Sequence, residues 1–115
     1  MCKTCDFIEN VLVSARQDPH YNYVPVLKLM FEIERQKRVD LFAGDCLPDQ
    51  LNNFLGDETH LTLCHYFKCS TCKRYFFVGS YIRGTPIFES SSNLKSVNLD
   101  KRIWGKHGKY FEDKI

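Results

Sequence analysis

The sequence predicts an α+β domain, with N-terminal helices packed on a small antiparallel sheet. Three observations lead there. Apolar residues recur at helical spacing in two stretches of the first third of the chain. From Leu61 the pattern changes to strict alternation, rich in aromatic and β-branched residues. A short Cys-x-x-Cys turn then separates two such runs as the tip of a hairpin. With 115 residues, the chain has the length of one domain spanning residues 1–115.

The first helix is expected over Asp6 to Arg16. Phe7, Ile8, Val11, Leu12 and Ala15 share a face, Asp6 followed by Glu9 resembles a capping box, and Asp18-Pro19 ends the segment. A second helix is expected from Pro25 to Arg38, because proline suits a first helical turn and Val26, Leu29, Met30 and Ile33 form one stripe. Val39 to Phe42 reads as a continuation of it, and Asp49 to Leu55 as a short helix in a turn-rich region.

In the strand region, Leu61, Leu63, His65 and Phe67 alternate with Thr62, Cys64, Tyr66 and Lys68, and the run from Lys73 to Ile82 returns antiparallel. Phe76 and Val78 take one face, and Tyr75, Phe77 and Tyr81 the other. Both faces of the hairpin are thus apolar, so the sheet is expected to be covered on both sides, by helices on one and by the tail on the other. Arg83 to Pro86 reads as a turn, Pro86 to Glu89 as a short third strand and residues 90–93 as a loop. Ile103, Trp104, Tyr110 and Phe111 are the apolar anchors of a basic tail.

Composition narrows the function. A hydrophobic content of 43% and an aromatic content of 14% exclude general disorder. The beginning of the chain lacks the apolar run of a signal peptide, and no stretch has the ~18 apolar residues of a membrane span. These features fit a cytoplasmic protein, in which six cysteines are metal ligands or free thiols rather than disulfides. The net charge of +2 is unevenly spread. Residues 1–60 carry 6 Lys/Arg against 10 Asp/Glu, and residues 61–115 carry 10 against 4. No Lys or Arg occurs from Val39 to Phe67, where Asp40, Asp45, Asp49, Asp57 and Glu58 fall. Such asymmetry describes either two faces with different partners or an ordinary solvated surface.

The strongest chemical signal is the doubled pair, Cys2-x-x-Cys5 and Cys69-x-x-Cys72. Zinc is bound tetrahedrally by thiolates at about 2.3 Å, and a two-residue spacing lets one tight turn aim two sulfurs at one ion. Two such knuckles make a closed, structural site. It would tie the first helix to the hairpin tip, closing a loop of roughly 70 residues. Other assignments stay open at this stage. Cys64 or His65 could replace a member of the N-terminal pair, either pair could be a redox dithiol or bind an iron–sulfur cluster, and all four could be unligated thiols. Cys46 and Cys64 read as small buried apolar residues.

Catalysis finds little support. Cys64 and His65 are neighbours on a strand and point to opposite faces, so they do not form a dyad. His20, His60, His65 and His107 lack metalloprotease spacing, and there is neither a phosphate-binding glycine loop nor a Gly-x-Ser-x-Gly elbow. The hairpin interleaves aromatics with Lys68, Lys73, Arg74 and, further on, Arg83. That pattern suits a single-stranded nucleic acid, or equally an aromatic core rimmed by bases.

The Cys-x-x-Cys tip with a strand on each side resembles a zinc-ribbon knuckle, although Lys73 and Asp6 stand where such knuckles often have glycine. The overall form, and the stretch from His65 to Glu89 in particular, resembles small immunity proteins encoded beside bacterial polymorphic toxins, including contact-dependent inhibition systems. That resemblance implies a non-enzymatic inhibitor that occludes a cognate, basic nuclease toxin. A nuclease must be basic to hold nucleic acid, and an opposing acidic patch would speed and orient its capture. The expected set is therefore a structural zinc on Cys2, Cys5, Cys69 and Cys72, and a partner face on Asp40, Asp45, Asp49, Asp57 and Glu58. The alternative is a nucleic-acid-binding module that uses the basic hairpin and tail.

Overall fold

The computed structural model describes residues 2–17, 23–51, 53, 62–81, 86–92 and 99–112. Four strands form an antiparallel meander in sequence order: β1 Val39–Gly44, β2 Thr62–Cys69, β3 Tyr75–Tyr81 and β4 Ile87–Ser91. Helices α1 (Lys3–Arg16) and α2 (Tyr23–Arg35) cover one face, and the tail with its short helices α3 (Leu99–Arg102) and α4 (Lys109–Glu112) covers the other. The α+β expectation and the covering of both sheet faces hold.

The helix-side core follows the alternation read from sequence. Leu63, His65 and Phe67 of β2 and Phe76 and Val78 of β3 meet Ile8 and Leu12 of α1 and Leu27, Met30 and Phe31 of α2. Phe31 stands edge-on to Phe67 with ring centres 5.7 Å apart. Each of the apolar side chains among them contributes about 1.5–3 kcal/mol on full burial. On the other face Ala43 and Tyr66 pack with Leu99, Ile103 and Phe111, and Phe77 stacks on Tyr66 at 4.6 Å.

Several boundaries depart from expectation. Helix α1 starts at Lys3 rather than Asp6 because the Cys2 sulfur is its cap, accepting the Cys5 N–H at 3.4 Å. Glu9, freed from any capping box, pairs with Arg74 at 3.2 Å and so joins α1 to the sheet. Helix α2 starts two residues before Pro25 and stops at Arg35. There the Lys37 N–H bonds the Glu34 carbonyl, and the Arg38 N–H bonds the Ile33 carbonyl, with Lys37 at φ 65°. This is a Schellman ending with lysine where glycine is usual. Val39 to Phe42 therefore does not continue the helix. It opens β1, an edge strand with a bulge between Leu41 and Ala43. Of the segment Asp49 to Leu55, Pro48–Gln50 forms a 3₁₀ turn with Leu51 and Asn53 helical, and the rest lies outside the described residues. Ser90 and Ser91, expected in a loop, extend β4 to pair with Phe76 and Tyr75. The turn at 83–85 is also outside the described residues.

The tail is pinned by Asp45, which has no exposed surface. Its Oδ2 accepts the Cys64 N–H (2.7 Å), and its Oδ1 accepts the N–H groups of Trp104 (2.8 Å) and Gly105 (3.2 Å). The Trp104 indole N–H donates to the Thr62 carbonyl at 2.8 Å. Gly105 has no room for a side chain, since a Cβ there would lie 1.8 Å from the Asp45 carbonyl oxygen. Next to this anchor, Gly44 and His107 exchange backbone hydrogen bonds of 2.8 and 2.9 Å, which cover that end of the β1 edge.

Candidate metal centre

The N-terminus of α1 and the β2–β3 turn meet at one end of the helix-side core. Cys2 caps the helix and Cys5 lies in its first turn, so both sulfurs leave the same helix end. Cys69 closes β2 and Cys72 sits in the turn that follows. That turn is tight: the Lys73 N–H bonds the Cys69 carbonyl at 3.2 Å, and the Cys69 N–H bonds the Arg74 carbonyl at 2.8 Å. Lys73 takes a left-handed backbone, φ 63°, at the position where a zinc knuckle often carries glycine.

The four sulfurs lie within 4.8 Å of one another. Cys2 Sγ is 3.5 Å from Cys69 Sγ and 3.9 Å from Cys72 Sγ, and Cys5 Sγ is 2.9 Å from Cys72 Sγ. Four sulfurs at about 2.3 Å from a central zinc stand roughly 3.8 Å apart, so these spacings bracket a tetrahedral site. Cys5 and Cys69 are buried, Cys2 is half-buried and Cys72 is exposed, which leaves the site closed beneath and open on one side. All six cysteines are free thiols.

Electrostatics also favour a cation here. The Cys5 amide lowers the Cys2 thiol below the ordinary range. Cys72 is held down to about 6, chiefly by the Cys5 thiol that donates to it. Burial, then the neighbouring sulfurs, push the Cys5 thiol far up. So Cys72 is poised to ionise near neutral pH while Cys5 beside it keeps its proton. A divalent ion would replace that proton and neutralise the repulsion that opposes further ionisation. The donor set therefore fits a metal ion, and the residues that would hold it are Cys2, Cys5, Cys69 and Cys72.

The remaining expected positions sort differently. His65 and Cys64 do not join the cluster. His65 is wholly buried on the helix side, where its Nε2 donates to the Cys46 carbonyl (3.1 Å) and its Nδ1 faces the Tyr23 hydroxyl (3.4 Å). Burial lowers its pKa to about 4. Cys46 is buried as expected, with its thiol raised to about 12 by burial, whereas Cys64 is only partly buried on the tail side.

Of the acids, Asp49 is exposed, and Asp40 is half-exposed and paired with Lys109 at 3.2 Å. Asp57 and Glu58 lie outside the described residues. Asp45 is corrected outright. It cannot meet a partner at the surface, because its carboxylate is enclosed and occupied by three main-chain N–H groups. Sequence could not reveal this, since two of those donors come from the tail about sixty residues away.

Of the bases, Arg74 is committed to Glu9 and Ser90. Lys68 and Lys73 stand beside a groove that sequence reading did not find. Its walls are Asp40, Phe42, Lys68, Cys69, Lys73, Lys109 and Tyr110, and its volume is ≈ 440 Å³. The overlooked signal was Phe42, which the β1 bulge places on the tail side. Arg83 lies outside the described residues. No helix among the described residues is long and apolar enough to cross a membrane. Compared with known protein families, curated proteins and solved structures, the chain matches none.

Proposed function

We propose that this chain is a non-enzymatic binding domain whose fold is fastened by one structural zinc ion on Cys2, Cys5, Cys69 and Cys72. The observation that carries this is the convergence of four sulfurs within 4.8 Å from two distant chain segments. A tetrahedral zinc that takes all four has no position left for water or substrate, which is the signature of a structural rather than a catalytic site.

The partner in this reading is a cognate protein toxin, a basic nuclease neutralised in the cytoplasm by occlusion. Its support is the resemblance to immunity proteins and the run from Val39 to Phe67 without a single Lys or Arg. With Asp45 internal and Asp40 engaged by Lys109, Asp49 is the exposed acid of the expected set among the described residues, and Asp57 and Glu58 lie outside them. The test is co-expression with the C-terminal segment of the protein encoded immediately upstream. Growth arrest by that segment alone, relieved by this chain and lost again on reversing Asp49, Asp57 and Glu58 to lysine, supports the reading. A toxic segment that this chain fails to neutralise, or a harmless one, removes it.

A second reading, a nucleic-acid-binding module, is favoured by one specific observation. Lys68 and Lys73 of the hairpin converge with Lys109 of the tail on a groove lined by aromatic rings.

A further inference from the structure

We propose that the groove between the β2–β3 hairpin, the β1 bulge and α4 is a stacking subsite for one nucleotide of a single-stranded nucleic acid. The proposal rests on the second reading above and supplies its residues.

The groove is produced by the topology. Along β2, Cys64 and Tyr66 lie under the tail, while Lys68 lies one step nearer the hairpin tip, directly opposite Tyr75. Among the described residues, the buried tail cluster of Leu99, Ile103 and Phe111 takes in Tyr66 but not that last pair. The β1 bulge adds Phe42, and α4 adds Tyr110. Phe42 sits at the centre, 5.1 Å from Tyr75 and 5.6 Å from Tyr110 between ring centres. All three rings are half-exposed. Bulges commonly re-aim a side chain beside a site, and here one keeps a phenylalanine on the wet side of an edge strand.

Charge decides the kind of ligand. The Lys68 ammonium lies 5.3 Å from the Tyr75 ring centre and 5.8 Å from that of Phe42. Lys73 and Lys109 are exposed on the rim, the Lys73 ammonium donating to the Ser70 carbonyl (3.1 Å) and Lys109 pairing with Asp40 (3.2 Å), so among the described residues three lysines line the groove against one carboxylate. A ligand that uses all of this is an anion carrying a flat aromatic ring, with the ring on the Phe42–Tyr110 side and the phosphate towards Lys68 and Lys73. A space of ≈ 440 Å³ suits a nucleotide. The base must be unpaired to reach a ring, which selects single strands over duplex. An acidic peptide would use the lysines but not the ring faces.

Fluorescence anisotropy separates these cases. The metal-loaded protein is titrated with labelled single-stranded DNA and RNA, the same sequence as duplex, polyglutamate, and a free mononucleotide as competitor. Salt is varied from about 50 to 200 mM. The subsite predicts binding of single strands over duplex and competition by the mononucleotide. Lys68→Gln and Lys73→Gln should each reduce the salt slope by about 0.7, and Tyr110→Leu should weaken binding about tenfold or more at unchanged slope. Lys28→Gln, on an exposed position of α2, should change neither. Because Lys73 is exposed, its variant remains informative if the Tyr110 variant folds poorly. If no strand binds, both the second reading and the subsite fall. Single strands that bind all variants alike keep the second reading and overturn the subsite. Polyglutamate binding as tightly as a strand, insensitive to Tyr110→Leu, overturns both in favour of an acidic protein segment.

Discussion

Replacing Asp45 by asparagine tests the claim that this acid is an internal fastener rather than part of a binding face. The wild-type carboxylate takes the Cys64 N–H on one oxygen and the Trp104 and Gly105 N–H groups on the other, with no contact with solvent. Asparagine keeps one acceptor oxygen. If that oxygen remains on Trp104 and Gly105, the new amide N–H₂ opposes the Cys64 N–H, donor against donor. One charge-assisted hydrogen bond is lost, two are weakened, and a buried amide is left unsatisfied. Hydrogen bonds to charged groups contribute about 1.5–3 kcal/mol each, so a net loss of about 2 kcal/mol is a conservative expectation. For a chain of this size that is a fall in Tm of roughly 8 °C. Alanine removes all three bonds and should cost about 4 kcal/mol, a large share of a typical total of about 5–15 kcal/mol.

Thermal melts at one fixed zinc concentration give the global effect, and Trp104, the sole tryptophan, gives the local one. Its indole is held to Thr62 beside this anchor, so detachment of the tail should shift its emission to the red before the sheet unfolds. An Asp45→Asn protein with unchanged Tm and unchanged emission, but impaired partner binding, would return Asp45 to the surface.

Two further outcomes are expected. His65 is neutral in the fold because burial depresses its pKa from 6.5 to about 4. The unfolded chain therefore takes up a proton first as pH falls. Stability should drop by about 3 kcal/mol between pH 6.5 and 4, and His65→Gln should flatten that slope in denaturant titrations at fixed metal loading. An equally steep slope in the variant refutes the assignment. Lys37 holds a left-handed backbone at the end of α2. Lys37→Gly should raise the unfolding free energy by up to about 1 kcal/mol without altering metal content, and a decrease would contradict the Schellman reading.

What could be read in the sequence follows from the range of the interactions involved. The β2–β3 hairpin and the cysteine pairs were legible because alternation and the Cys-x-x-Cys spacing are local patterns. The start of α1 was missed because its cap is a cysteine, while Asp6, a conventional capping residue, stands four positions later. Strand β1 was missed because its bulge breaks the alternation: Leu41 faces the helices, yet Ala43 faces the tail. Asp45 looked like surface for a deeper reason. In an acid-rich, turn-rich stretch nothing local distinguishes a solvated carboxylate from one enclosed by backbone amides of the distant tail. The aromatic groove was half legible. Its lysines stand out on the hairpin, but Phe42 reads as helical and Tyr110 as an apolar anchor.

The proposed zinc would join the two cysteine pairs into one clip. Cys2 and Cys69 are 67 residues apart in sequence. A metal held by the folded chain and released on unfolding would stabilise it by its binding free energy, about 4 kcal/mol at a free concentration a thousandfold above Kd. The most direct measurement is native mass spectrometry of the purified chain with a parallel thermal melt, before and after chelation and for Cys69→Ser. One zinc per chain is expected, removed by chelation and absent from Cys69→Ser, with Tm falling by roughly 15 °C in both. A metal-free chain that melts at the same temperature as the zinc-treated protein would contradict it.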